Sequence, residues 1–260
     1  MKRLFYFFLF IFLGVSAFSQ NTQLKTMPIT TTSEKARALN TEAMNAVYED
    51  GDLQKFEKSA FDALKEDSDF FMVNYELAFA YFYFKNENKF KDYGNRAANC
   101  KTKLSKGELL LKEIILKLLE NRNANVTELS KKLIDLYPDD IFAYYQLNLF
   151  QDLNNDNIGR VETLRNALQK PNMPAIFYNN LGYAYMKLGK NEEAGNAFDK
   201  YIELAPNVPN PYDSKGDYFM STKNYRKAYE SYMKAHEIDS SWSYKKAIYA
   251  KALADSLEKK

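Results

Sequence analysis

His236 is the one histidine and Cys100 the one cysteine among 260 residues, so the side chains that most often carry nucleophilic, acid–base or metal chemistry are nearly absent. Any serine or cysteine nucleophile would have a single imidazole to act as its base, a His-rich metal site is excluded, and no internal disulfide can form. His236 follows Ala235 in a helical pattern and reads as a solvated helix residue. Cys100 reads as a small apolar residue packed near a helix end. Asp139-Asp140 and the acidic and amide run 152–157 lack the spacing of a calcium loop and suit helix caps and turns. The 9 glycines are scattered rather than gathered into a phosphate-binding loop, and Asn125-Val126-Thr127 is a glycosylation sequon of the sort that chance supplies. The sequence therefore predicts no enzyme, with no catalytic residue, no cofactor and no metal site.

What the chain does carry is a spaced set of large, small and breaking residues. Tyr178-x2-Leu181-Gly182-x2-Tyr185 is followed by Ala194-x3-Phe198 and then by Pro206. One period later stand Tyr212, Gly216, Phe219, Ala228 and Tyr232, and two periods before Pro206 stands Pro138. The set resembles the tetratricopeptide repeat, a helix-turn-helix unit of about 34 residues, with Tyr178 in the usual Trp place. That resemblance implies an all-α fold, a right-handed superhelical solenoid of helix-turn-helix repeats. Paired helices approach closely only where one side chain is small, so Gly182 and Gly216 are expected to face Ala194 and Ala228, with Tyr178, Tyr185 and Phe198 filling the space to the next unit. Gly182→Leu or Ala194→Glu is expected to destabilise the array by overpacking or by a buried unpaired charge.

Phasing the whole chain to this set gives six repeats, 37–70, 71–104, 107–140, 141–174, 175–208 and 209–242, with Ser105 and Lys106 inserted and a capping helix over 243–257. The prolines past the leader all fall at repeat ends or starts, so none breaks a helix. The fourth repeat departs most, with Asn148 where Gly182 aligns and Arg160 where Ala194 aligns. Tyr201 stands where Ala235 stands one repeat later, so packing there must be looser or rearranged. Leu109 to Leu119, apolar nearly all round, suggests a helix buried from both sides. In the last helix Ala247, Ile248, Ala250, Leu253 and Leu257 share a helical spacing opposite many charges, as suits a solvated end of an array. Ahead of the repeats, 20–36 is polar, without helical period, and reads as a flexible leader.

Lys2 and Arg3, the apolar run 4–15, and Ala17-Phe18-Ser19 have the three regions of a secretory signal peptide over 1–19, with cleavage after Ser19. The run is shorter than the ~20 residues that span a bilayer. The expected location is extracytoplasmic, the periplasm in a Gram-negative cell, with no stable membrane insertion of the mature chain. Of 36 basic residues, removal of Lys2 and Arg3 leaves as many as the 34 acidic ones, which offers nothing to attract nucleic acid.

Resemblance further implies that the first helices line a concave groove where partners, usually peptide segments, lie. The residues pointing into it are expected to be Thr41 and Asn45, Tyr75 and Phe79, Leu111 and Ile115, Tyr145 and Leu149, Asn179 and Tyr183, and Asp213 and Asp217. The middle is apolar and aromatic, and the two carboxylates at the end could meet a Lys or Arg. The basic clamp with which some members hold a C-terminal carboxylate is missing from these positions. The expectation is a protein-protein interaction scaffold or adaptor of the cell envelope, binding an apolar or aromatic segment. Alternatives are a carbohydrate or small-ligand binding protein, with the tyrosines stacked on sugar, and a non-catalytic subunit of an envelope complex. Two other arrangements would close the groove: a superhelix tight enough for these side chains to pack on one another, or the leader laid across them. An open groove predicts that Tyr75→Ala with Tyr145→Ala removes binding and leaves stability nearly unchanged.

Overall fold

A computed structural model describes residues 24–258; the proposed signal segment 1–19 and its cleavage point lie outside the described residues. Helices follow one another in pairs joined by short turns: α1 (Glu34–Asn45), prolonged by a π-helical turn (Ala46–Asp50), with α2 (Leu53–Glu66); α3 (Phe71–Tyr83) with α4 (Glu87–Ala98); α5 (Lys106–Glu120) with α6 (Thr127–Leu136). The pattern continues with α7 (Ile141–Leu153) and α8 (Asn157–Ala167), α9 (Ile176–Lys187) and α10 (Asn191–Leu204), then α11 (Pro209–Ser221) and α12 (Tyr225–Ile238), before a last helix α13 (Tyr244–Glu258). The described chain is an all-helical solenoid.

Local chemistry sets the helix limits. Side chains of Ser33, Asp52, Asn86, Ser105, Asp140, Asp156 and Asn224 each accept a backbone N–H of the following first turn, satisfying donors that the helix itself leaves open. The acidic pair and the acidic and amide run thus serve as caps and turns: Asp140 and Asp156 cap α7 and α8, and Asn155 takes a left-handed turn conformation. Left-handed turn residues recur one repeat apart at Gly51 and Lys85, and again at Asn155, Gly189 and Lys223, so the period is written in the backbone as well as in the side chains.

The small residues stand where helices touch. A Cβ on Gly182 would lie 2.7 Å from the Phe198 ring, and one on Gly216 would lie 2.4 Å from the Tyr232 ring; both rings are buried. In the fourth pair the two substitutes meet each other instead, the Arg160 Nε donating to Asn148 Oδ1 at 3.1 Å while the guanidinium also pairs with Asp152. Tyr201 is fully buried, so the packing at that position is rearranged rather than loose.

Three expectations about burial are corrected. The helix buried on all sides is α3, whose residues from Phe71 to Phe79 are all buried. By contrast α5 buries Leu111, Ile114, Ile115 and Leu118 and leaves Leu109 and Leu116 exposed. The inner face of α13 is a stripe of alanines, Ala247, Ala250 and Ala254, while Ile248 and Leu257 point to solvent with Tyr249. The third concerns the leader: its described part is held in place. Asp139 accepts from the Lys25 N–H, Asp140 from Met27, and both oxygens of the buried Glu108 accept from Thr30. Met27 is buried so tightly that a Cβ on Gly107 would lie 2.5 Å from it, and residues 34–36 already belong to α1. The strap thus runs past the starts of α7 and α5 and the loop before α3, where Thr31 bonds Asp67 at 2.6 Å.

The coil is tight enough to close on itself. Tyr48, in the first pair, meets the edge of Tyr145 in the fourth with ring centroids 5.3 Å apart. Gly51, with φ of 66°, sits so close to Asn210 at the start of α11 that a Cβ would be 2.2 Å from its side-chain amide.

Candidate functional site

That closure decides the fate of the expected groove. Tyr75 and Phe79 are buried, stacked on each other with centroids 6.3 Å apart; Tyr75 meets the edge of Phe142 at 6.1 Å and Phe79 lies 4.9 Å from Phe150. Leu111, Ile115 and Asn179 are buried as well. These five residues form core, and the reason is geometric: first helices brought within ring contact of each other leave no room for a segment between them. Tyr145, Leu149 and Tyr183 are half-buried, and burial pushes the Tyr145 phenol up to about 12. Thr41 and Asn45 remain exposed.

The two carboxylates at the C-terminal end are already engaged. Asp217 accepts from the Tyr183 hydroxyl at 2.9 Å and the Tyr232 hydroxyl at 2.6 Å, and burial together with this carboxylate raises both phenols well above their ordinary range. Asp213 accepts from Ser243, and the Lys246 ammonium on α13 reaches both acids. The two unique nucleophile and base candidates are apart: the His236 ring faces the Trp242 carbonyl at 3.1 Å in the last pair, while Cys100 is buried with its sulfur 3.2 Å from the Asp69 carbonyl and burial pushes its thiol up.

What remains of the groove is a cavity of about 90 Å³ between α1, α2, α3 and α7. Met44, Val47, Phe56, Phe79, Ala80 and Leu149 line it, and its mouth lies at the helix ends, where Leu53 and Phe84 are 43% and 57% exposed. A shallower groove continues from the same mouth over Gln54, Glu57, Tyr81 and Lys89. Glu76 lies among the lining residues at 4% exposure. Of the positions expected from spacing, Phe79, Tyr145 and Leu149 line this cavity, and Leu53, Phe84 and Glu76, which line it too, are not among those positions. Two sequence signals mark the latter residues. Phe84 is aromatic just before the left-handed turn residue, where the later turns have Asn154, Leu188 and Thr222, and Glu76 is the single charge in the apolar stretch Phe71–Phe84. The larger open groove between α6 and α8 has interspersed charges, with Lys131 paired to Glu128 at 2.9 Å, and presents no field of one sign.

Residues 175–208 and 210–241 match the tetratricopeptide repeat family. No curated protein matches the chain in sequence. Among solved structures, yeast Tom70 is similar with a TM-score of 0.54 at 13% identity, over 84% of this chain and 47% of that one. A MamA fragment from Desulfovibrio magneticus RS-1 aligns with a TM-score of 0.45 at 16% identity, over 81% of this chain and 98% of that chain. PilW, described as a type IV pilus biogenesis factor, gives 0.44 at 16% identity over 79% and 78%. At these identities the likeness is one of fold.

Proposed function

We propose that this tetratricopeptide-repeat protein is a non-catalytic interaction module of the cell envelope that captures an apolar segment of a protein partner at the slot between Leu53 and Phe84. The observation that carries the reading is the pairing of exposed apolar side chains with a hole behind them: Leu53 and Phe84 flank the open end of an apolar cavity at a four-helix junction. Apolar side chains exposed at the rim of a preformed concavity are the usual anatomy of a docking site. The envelope assignment rests on Lys2-Arg3, the apolar run 4–15 and Ala17-Phe18-Ser19; no described helix is long and apolar enough to cross a membrane.

Sugar stacking finds less support, because Tyr75 and Tyr145 spend their ring faces and edges on Phe79, Phe142 and Tyr48. The cavity is also smaller than the ~150 Å³ that accepts one benzene.

A photoreactive side chain at Phe84 in the producing cell tests the reading, with the exposed Glu192 on α10 as control position. Phe84 is expected to give a discrete crosslinked partner and Glu192 none, and Leu53→Ser with Phe84→Ser is expected to abolish capture at an unchanged melting temperature. Equal crosslinking at both positions, or capture that survives the double substitution, overturns it. Mass spectrometry of the envelope-fraction protein is expected to find Gln20 at its N-terminus; a chain retaining Met1 there overturns the cleavage.

A further inference from the structure

The two faces of α13 differ in what they touch. Ala247, Ala250 and Ala254 lie inward and are buried, and Lys246 holds Asp213 and Asp217 of the same chain. Opposite the alanines, Lys245, Ile248, Tyr249, Ala252 and Ser256 recur at i, i+3, i+4, i+7 and i+11, which is one face of a helix, and all of them are exposed. Tyr244 and Leu257 are exposed at its flanks, so α13 shows more large apolar side chains to solvent than any other described helix. The face also has a sign. It carries no carboxylate, Lys245 pairs with no acid among the described residues, and Asp255 at its edge is held by Lys251 at 2.7 Å. Lys223, a second exposed cation, lines an open notch with Leu257.

We propose that this face of α13 docks on an anionic lipid surface, with Ile248 and Tyr249 entering the headgroup boundary and Lys245 and Lys223 meeting lipid phosphates. Shape selects a bilayer over a folded partner. The apolar side chains project from the end of the array instead of lining a hole, whereas protein docking draws its affinity from side chains seated in pockets. Lipid headgroups part around a projecting side chain, so no matching cavity is needed. Chemistry agrees: tyrosine offers an apolar ring and a hydroxyl for the wet side of the boundary, and lysine lays its stem on apolar surface while its ammonium stays among phosphates. Charge complementarity sets the sign of the lipid, since nothing on the face repels a phosphate. The helix keeps its place as it docks, because Lys246 and the alanines hold it from the other side. With two large apolar side chains at its centre the contact is peripheral and reversible, in keeping with a helix that is not long and apolar enough to cross a membrane. The inference needs neither Leu53 nor Phe84 and goes beyond the capture of a protein segment there.

Vesicle sedimentation tests it, with the chain beginning at Gln20, which contains every described residue and leaves out the apolar run 4–15. The probes are vesicles of phosphatidylglycerol and phosphatidylethanolamine in equal parts, and vesicles of phosphatidylcholine alone. The bound-to-free ratio on the anionic vesicles is expected to exceed that on phosphatidylcholine by about ten-fold and to fall with added salt. Ile248→Ser with Tyr249→Ser is expected to lower it by about ten-fold, and Lys245→Glu to lower it on the anionic vesicles alone. All three positions are exposed, so an unchanged melting temperature should accompany each loss. Equal binding to the two kinds of vesicle, or anionic binding that survives the double serine substitution, overturns the proposal. A photoreactive side chain at Tyr249 that gives a discrete protein crosslink in cells, in a chain that leaves both kinds of vesicle unbound, also overturns it and assigns the face to a protein.

Discussion

The Lys246 ammonium lies 2.8 Å from Asp213 Oδ2 and reaches Asp217 Oδ1 at 3.0 Å. The acids that sequence spacing offers to a partner's Lys or Arg are therefore occupied by the chain's own last helix. With an inner face made of alanines, α13 gains little from area alone, so this ion pair does much to fix its position. Lys246→Met is expected to cost about 1 kcal/mol, since the lysine is half exposed and screened. Amide exchange should accelerate at Ala247 and Ala250 but not in α9, and uniform exchange would show the helix held by packing alone. Burial opposes the lysine charge, but the bonds to Asp213 and Asp217 outweigh it and raise the pKa above 10.5. The contribution is thus complete below that ordinary value and is lost only as pH climbs through the raised one.

Arg160 and Asn148, which stand where the neighbouring repeat has the small Ala194 and Gly182, join by a hydrogen bond. Removing one partner of such a pair leaves the other buried and unsatisfied, so Arg160→Ala is expected to destabilise by about 3 kcal/mol. Asn148→Gly in the same chain rebuilds the small pair and should recover at least ~1 kcal/mol of that loss in a double-mutant cycle. Additive losses in chemical denaturation would show that the two residues act independently.

The repeat was legible because its signal is local. Gly182, Ala194 and Pro206 fix how close two consecutive helices come and where they end, and those demands recur at a set spacing. The groove was not legible, because its width depends on contacts across four to six repeats. Tyr48 against Tyr145, and Gly51 against Asn210, pair residues that no periodicity links. The even apolarity of α3 carried the information that a helix is covered on every side, yet in α5 a similar outline leaves Leu109 and Leu116 about half exposed. The leader's docking rested on single partners, Glu108 and Asp140, whose roles a composition-based reading of a polar segment does not register.

Tyr75→Ala separates a closed concave face from an open one. The ring is fully buried between Phe71, Phe79 and Phe142, so its removal leaves a cavity that rigid helices cannot fill, at a cost of about 3–5 kcal/mol. The melting temperature should fall by several degrees. Unchanged melting would place Tyr75 on an accessible surface and restore the wide groove.

Glu76 ties the stability of the junction to pH. Burial, with Asp140 nearby, raises its carboxyl above 4.5 despite the hydrogen bond from Asn40, and Tyr48, Tyr75, Tyr83 and Tyr145 are the other titratable groups around it. A carboxyl whose pKa is raised on folding contributes its full stability below the ordinary value and loses it as pH rises toward the folded one, because the unfolded chain ionises first. Glu76→Gln cannot ionise, so the substituted protein is expected to gain on the original by about 1.4 kcal/mol per pH unit across that window. Denaturant midpoints at pH 5, 6 and 7 measure the gap between the two proteins, and a gap that stays constant would mean that Glu76 titrates as an exposed residue does. A gap that widens means that each step up in pH raises the cost of keeping this acid neutral in the closed junction. That cost falls when the first helix pair opens, so rising pH should favour that opening.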